Sequence, residues 1–97
     1  MDSKPGLIAL AALDDILAAQ PLVDQNLFSK ATHCLSVFRD SLIAEYRPGS
    51  PSSAQRARLE QVNATISILM AGHFPLAETP WKELEKSRAW LQSATVS

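Results

Sequence analysis

The sequence predicts an all-α protein, a four-helix antiparallel bundle that forms a single domain over residues 1–97. Prolines and glycines divide the chain into four segments in which apolar residues recur at steps of three and four, as in helices with one buried face. The chain has only three glycines, one tyrosine and few runs of β-branched residues, which argues against a β fold. Its hydrophobic content of 46% is enough for one core. We expect a long central hairpin of helices at about 24–47 and 52–71, flanked by shorter helices at about 5–19 and 80–93.

The first predicted helix is apolar on nearly all sides. Asp14 and Asp15 are nearly the only polar side chains between residues 5 and 19. A helix with so wide an apolar face is expected to be covered on most sides. Because adjacent carboxylates diverge on a helix, we expect one of the two to be solvated and the other to cap a helix or form a salt bridge. Gln20 and Pro21 end the helix, since the residue before a proline is pushed out of the α region.

The second predicted helix is the longest and carries a single apolar stripe. Asp24 is a suitable N-cap, and Pro48 with Gly49 ends the helix. Because Cys34 lies within the stripe, we expect its thiol to be buried and to behave as a small hydrophobic group. The residues of the stripe are Leu27, Phe28, Ala31, Cys34, Leu35, Phe38, Leu42 and Tyr46.

The third and fourth helices follow from turn and cap residues. The segment 47–53 is rich in proline, glycine and serine and predicts a turn, and Gly72 is suited to the C-terminal cap of the third helix. Thr79 as N-cap and Pro80 at the first helical position open the fourth helix. Where the two long helices face each other, we expect five side chains to be almost fully buried: Leu35, Phe38, Val62, Ile66 and Leu69.

The charge balance and the lone cysteine limit the function and the compartment. Nine basic against ten acidic residues give a net charge of −1, which argues against binding nucleic acid by bulk charge. One cysteine excludes an internal disulfide. The apolar run 7–13 has no basic flank and no clear cleavage site, so it is not expected to be a secretory signal. No stretch approaches the roughly 18 apolar residues of a membrane span, and we expect a cytoplasmic protein without membrane contact.

Motifs for catalysis, metals and cofactors are missing from the sequence. His33 and His73 are the two histidines and Cys34 is the one thiol, and they do not have the spacing of a metal site. The chain contains no Gly-x-Ser-x-Gly elbow and no glycine-rich phosphate loop. The sequence therefore predicts no enzyme, no cofactor and no metal.

Three arginines form one candidate binding patch. The chain carries Arg47, Arg56 and Arg58 and no acidic residue between Tyr46 and Leu59. This concentrates positive charge at the tip of the predicted hairpin, as a candidate site for a phosphate or an acidic partner. The alternative is that the three arginines are ordinary solvent-exposed side chains near the turn and bind no partner.

The fourth helix supplies the second candidate surface. Trp81 and Trp90 are nine residues apart, and at about 100° per residue this spacing places them on nearly opposite sides of a helix. We expect Trp81 to face the core, which makes Trp90 a candidate contact residue for a partner, together with Lys86 and Ala94. The alternative is that Trp90 packs sideways over the first helix or over the stem of Lys86.

These observations favour a non-enzymatic helical protein–protein interaction module, such as an adaptor, a regulator or a subunit of a larger complex. We expect it to be a homodimer with Trp90 at or beside the interface, because a two-fold contact uses the same exposed aromatic residue twice. One alternative is a bundle that binds a small apolar or anionic ligand, with Phe28, Phe38 and Met70 as the candidate apolar lining. A third possibility, a weak nucleic-acid-binding regulator, requires the three arginines to form a continuous stripe.

Overall fold

The computed structural model describes residues 4–20, 25–47, 49–71 and 81–96. It contains four helices: α1 (Lys4–Ala19), α2 (Gln25–Tyr46), α3 (Ser53–Ala71) and α4 (Trp81–Val96). The predicted all-α bundle is confirmed, and the helix ends agree with the prediction to within one residue at all ends but the last. Helix α4 continues three residues past the predicted end at 93, because no proline or glycine follows to interrupt it.

Several predicted caps fall on residues that the structure does not describe. Asp24, Gly72, Thr79 and Pro80 belong to this group. His73, one of the two histidines, also lies outside the described residues.

The helices follow one another around a ring. Helix α1 packs against both α2 and α4, α2 also packs against α3, and the contact between α3 and α4 is the smallest of the four. A hydrogen bond from Arg39 of α2 to Asn63 Oδ1 of α3 (3.4 Å) joins the two arms of the central hairpin. The two residues lie at similar distances from the turn, as the predicted antiparallel hairpin requires.

A capping box begins helix α3. Ser52 Oγ accepts a hydrogen bond from the backbone N–H of Gln55 (3.2 Å), and Gln55 Oε1 accepts one from the N–H of Ser52 (2.9 Å). The carbonyl of Ser52 accepts the first helical bond from Arg56 (2.9 Å). Because this reciprocal arrangement satisfies donors that a helix start leaves free, it fixes where the turn ends and α3 begins.

The core confirms the predicted buried set. Leu35, Phe38, Val62, Ile66 and Leu69 are each at most 8% exposed. Helix α1 adds Ala9, Leu13 and Ile16, and helix α4 adds Leu84 and Leu91. The buried hydroxyl of Thr65 is satisfied within its own helix, since it donates to the carbonyl of Gln61 (2.9 Å).

Helix α1 is less covered than the sequence predicted. Its contacts are with α2 and α4, so the face turned away from both neighbours is open. Leu7 is 47% exposed and Ile8 is 49% exposed on this helix. The prediction of cover on most sides was wrong because each helix in a ring of four keeps an outward face, whatever its composition.

The two adjacent acids of α1 behave as predicted. Asp15 is exposed, and Asp14 binds Arg88 of α4, with Nε 2.7 Å from Oδ1 and Nη2 3.4 Å from Oδ2. Arg88 also donates to Gln92 one helical turn later. The hydrogen bond to Asp14 raises the pKa of Arg88, and the carboxylate charge adds to this against the opposing effect of lost water contact.

Replacing Phe38 tests the position of the core. Phe38 is 5% exposed, so we expect Phe38→Ala to lower the free energy of unfolding by about 3–5 kcal/mol through lost burial and the cavity left behind. Urea denaturation followed by circular dichroism measures this change. Val37→Ala is the matched control, since Val37 precedes it in the same helix and is 45% exposed. Equal stability loss in the two variants would contradict the assigned face of α2.

A buried hydroxyl offers a second stability test. Tyr46 is 8% exposed, and its Oη atom has no hydrogen-bond partner among the described residues. An unsatisfied buried hydroxyl is unfavourable, so we expect Tyr46→Phe to raise the free energy of unfolding by about 1 kcal/mol. A thermal melt that shows a clear loss of stability in this variant would mean that the hydroxyl has a partner and would contradict the assignment.

Candidate functional site

A groove of about 480 Å³ runs between α3 and α4. These two helices have the smallest contact of the four packed pairs. The facing side chains are mostly alanine and serine, which are too short to fill the space between the two backbones. We call it the α3–α4 groove, and its lining residues are Ala54, Ala57, Arg58, Gln61, Trp90, Ser93 and Ala94.

Trp90 forms one wall of the α3–α4 groove. Its indole is half-buried, packing against the core on one side and bordering the groove on the other. Trp81 is also half-buried and packs against the same core. Trp81, which was expected to face the core, is therefore no more fully inserted than Trp90, and both indoles pack against the core from different sides of α4.

The three predicted arginines make different contacts near the tip of the hairpin. Arg58 lines the α3–α4 groove beside Trp90 and Ala94. Arg47 is exposed and lines a different groove on α2. Arg56 turns back to the hairpin turn, where its Nε lies 3.4 Å from the carbonyl oxygen of Pro51. The arginine patch therefore does not line one common site, and one of its members joins the predicted partner surface instead.

Lys86 lies outside the groove lining. It is exposed on α4, and its ammonium nitrogen is 3.5 Å from a carboxylate oxygen of Glu83. Trp90 follows four residues later, so the two residues share one side of the helix. Of the predicted partner surface, Trp90 and Ala94 are brought together in the groove, and Lys86 stands at its edge.

A second groove, of about 320 Å³, lies between α1 and α2. Cys34 lines it and is half-buried, which corrects the expectation of a buried thiol. The thiol lies on the flank of the α2 stripe that faces α1, one position away from the fully buried Leu35. We call it the α1–α2 groove, and its lining residues are Lys4, Pro5, Ile8, His33, Cys34 and Val37.

The predicted ligand pocket is not assembled. Phe28 and Phe38 are in the core at 4% and 5% exposure, whereas Met70 is on the surface at 55%. These three side chains therefore cannot line one site together.

The described residues contain neither a cluster of metal-binding side chains nor a helix that could span a membrane. Within the four described stretches, no three histidine, cysteine or carboxylate side chains come together in a way that could hold a metal ion. In the same stretches no helix has both the length and the apolar character to cross a bilayer.

The α3–α4 groove was missed by sequence reasoning because it depends on the spacing between two helices. Arg58 and Trp90 belong to different predicted surfaces, and no periodicity within one helix relates them. A signal was present in the small residues Ala54 and Ala57 of α3 and Ala94 of α4. Small residues three apart on one helix mark a place where a neighbouring group approaches closely or a space stays open.

The half-buried thiol predicts an intermediate reactivity. We expect a thiol reagent to modify Cys34 completely in the native protein, but more slowly than in the denatured chain, because one side of the side chain is covered. The rates for the native and the denatured protein are measured from the absorbance of the anion that the reagent releases when it reacts with the thiol. Complete protection of the native thiol, or equal rates in the two states, would contradict the placement of Cys34 at the edge of the α1–α2 groove.

The comparison with known proteins leaves the site to be interpreted from its own chemistry. The chain matches no protein-family model, no curated protein sequence and no solved structure.

Proposed function

We propose that this chain is a non-enzymatic helical protein–protein interaction module: an adaptor, a regulator or a subunit of a larger cytoplasmic complex. Its partner-binding site is the α3–α4 groove. The observation that carries this proposal is the half-buried indole of Trp90 on the wall of an open groove with small side chains around it.

A recessed tryptophan is well suited to anchor a partner. Tryptophan is enriched among the residues that contribute most to binding, and such residues lie in pockets that exclude water when the partner is bound. Trp90 packs against the core on its inner side, so its position is already fixed before binding. A side chain that does not have to be ordered on binding gives more net affinity.

The shape and charge of the groove favour an amphipathic helix with an acidic residue as its occupant. A helix can insert large apolar side chains between α3 and α4, where Ala54, Ala57 and Ala94 leave room. Arg58 supplies a positive charge, and the lining residues include no carboxylate. A carboxylate on the partner helix pairs with this guanidinium and fixes the orientation of the helix.

Self-association is part of the same proposal. Four large apolar side chains are 45–55% exposed, an arrangement that favours contact with another protein surface; they are Leu7, Ile8, Val37 and Met70. The groove geometry favours a segment inserted beside Trp90 over a flat two-fold contact between two indoles, since the indole is recessed. Trp90 therefore serves a partner helix in this proposal, and the homodimer uses another surface.

The second candidate function is binding of a small apolar ligand. The α1–α2 groove favours it, because Pro5, Ile8, Val37 and Cys34 give it a largely apolar lining. Nucleic-acid binding is not proposed, since Arg47 and Arg58 line different grooves and Arg56 bonds to the carbonyl oxygen of Pro51.

A selection experiment tests the partner site. Amphipathic helical peptides are selected from a display library on the immobilised wild-type chain, and their dissociation constants are measured by fluorescence anisotropy. We expect the selected peptides to share a large apolar residue and a carboxylate. Trp90→Ala should weaken their binding roughly thirtyfold, the loss that follows from removing a central aromatic contact. Arg58→Glu should weaken it by about tenfold or more, because it places two negative charges together.

Two further variants make the result specific. Ala57→Phe fills the exposed groove without altering the core, and it should block binding while the helical circular dichroism stays that of wild type. Lys82→Glu changes an exposed residue of α4 outside the groove and should have no effect. Peptides that bind all of these variants equally would contradict the site. Loss of a wild-type homodimer in Trp90→Ala would instead show that the occupant of the groove is a second copy of the chain.

A further inference from the structure

The outward face of α1 has the spacing of a helix-pairing seam. Residues 4, 8, 11, 15 and 18 are separated by four, three, four and three positions, and all five are exposed. This alternation keeps side chains in line along one side of a helix and is the spacing by which two helices pack along their length. We call this row the α1 seam; its members are Lys4, Ile8, Ala11, Asp15 and Ala18.

The monomer leaves the α1 seam uncovered although α1 is the most apolar helix of the bundle. Ile8 is 49% exposed, and Leu7 beside it is 47% exposed. A helix that is apolar nearly all round is normally covered on most sides. Here α2 and α4 cover two sides, and the apolar surface that remains includes Leu7 and Ile8, of which Ile8 belongs to the α1 seam and also borders the α1–α2 groove.

We propose that a second copy of this chain covers the α1 seam, with the two α1 helices packed antiparallel about a two-fold axis that passes between residues 9 and 10. This proposal rests on the self-association proposed above and assigns its surface. In this register Ile8 lies opposite the partner's Ala11, and Ala11 lies opposite the partner's Ile8. Each of these two contacts across the axis then pairs one large side chain with one small one, which lets the two helices approach closely.

The charges of the α1 seam select the same arrangement. The register that joins Ile8 to the partner's Ala11 also places Lys4 opposite the partner's Asp15, and the two-fold axis repeats this pair at the other end. A parallel arrangement would bring Lys4 against the partner's Lys4 and Asp15 against the partner's Asp15, which is unfavourable at both ends. The sequence of α1 is therefore self-complementary only when the helices run in opposite directions.

The outward face of α4 is a poorer candidate for this contact. Lys82, Glu83, Glu85 and Lys86 are exposed there, and the largest apolar residue among the exposed positions of that face is Ala89. The α1 seam also shares no residue with the α3–α4 groove, so a dimer through α1 leaves both partner grooves accessible.

Charge reversal at the two ends of the α1 seam tests the proposal. Sedimentation equilibrium of the full chain at high micromolar concentration should show a wild-type dimer. Lys4→Glu and Asp15→Lys should each weaken the dimer by about tenfold or more, because each variant brings like charges together across the axis. An equimolar mixture of the two variants should form dimers again, since every charged pair across the axis then has opposite signs. The double variant Lys4→Glu/Asp15→Lys should likewise dimerise by itself.

The controls separate this proposal from the partner site. Lys82→Glu makes the same change of charge on α4 and should leave the dimer intact. A dimer that survives both reversals, or that only Trp90→Ala disrupts, would overturn the α1 seam while self-association itself stands. A wild-type monomer would overturn both the seam and self-association, and peptide binding in the α3–α4 groove would still decide the proposed interaction function.

Discussion

The packing of α4 against α1 is the contact on which the other features of this molecule depend. Helix α1 lies between α2 and α4, and its buried residues Leu13 and Ile16 belong to the single core. The ion pair between Asp14 and Arg88 joins α1 to α4 at the surface. Because α4 packs extensively against α1 and only slightly against α3, the bundle is closed on one side of α4 and open on the other.

The same asymmetry divides the apolar surface that the core does not bury. On the open side of α4, Trp90 is held by the core and still borders a groove of about 480 Å³. Helix α1 buries side chains against α2 and α4, and its remaining face, which carries Ile8 and Leu7, is exposed. A bundle of this size cannot hide every apolar side chain, and the α3–α4 groove and the outward face of α1 are two partly apolar surfaces that share no residue. One surface can therefore serve the assembly of the chain with itself while the other receives a different protein.

Periodicity within a helix predicted most of what the central hairpin buries. Six of the eight stripe residues of α2, including Leu35 and Phe38, are buried, and so are Val62, Ile66 and Leu69 of α3. The serine-rich turn predicted the start of α3, where Ser52 forms the cap. These features depend on the order of residues within a short segment, which the sequence carries directly.

Features that depend on the distance between helices could not be predicted in this way. The meeting of Arg58 with Trp90 requires knowing that α3 and α4 lie apart there, and the partial exposure of Cys34 requires knowing which flank of α2 faces α1. The wide apolar face of α1 predicted that other helices pack over most of this helix, but composition does not say whether those helices belong to the same chain. Only the ring order of the helices shows that α1 has no third neighbour among the described residues.

Self-association and partner binding are proposed to use separate surfaces, and a concentration series of two-dimensional ¹H–¹⁵N spectra distinguishes the two surfaces. As the protein is concentrated, the backbone signals of Ile8, Ala11 and Asp15 should shift while the indole N–H signal of Trp90 stays in place. A concentration-dependent shift of the Trp90 indole signal, with the α1 signals unchanged, would show that the chain associates through the α3–α4 groove and not through α1.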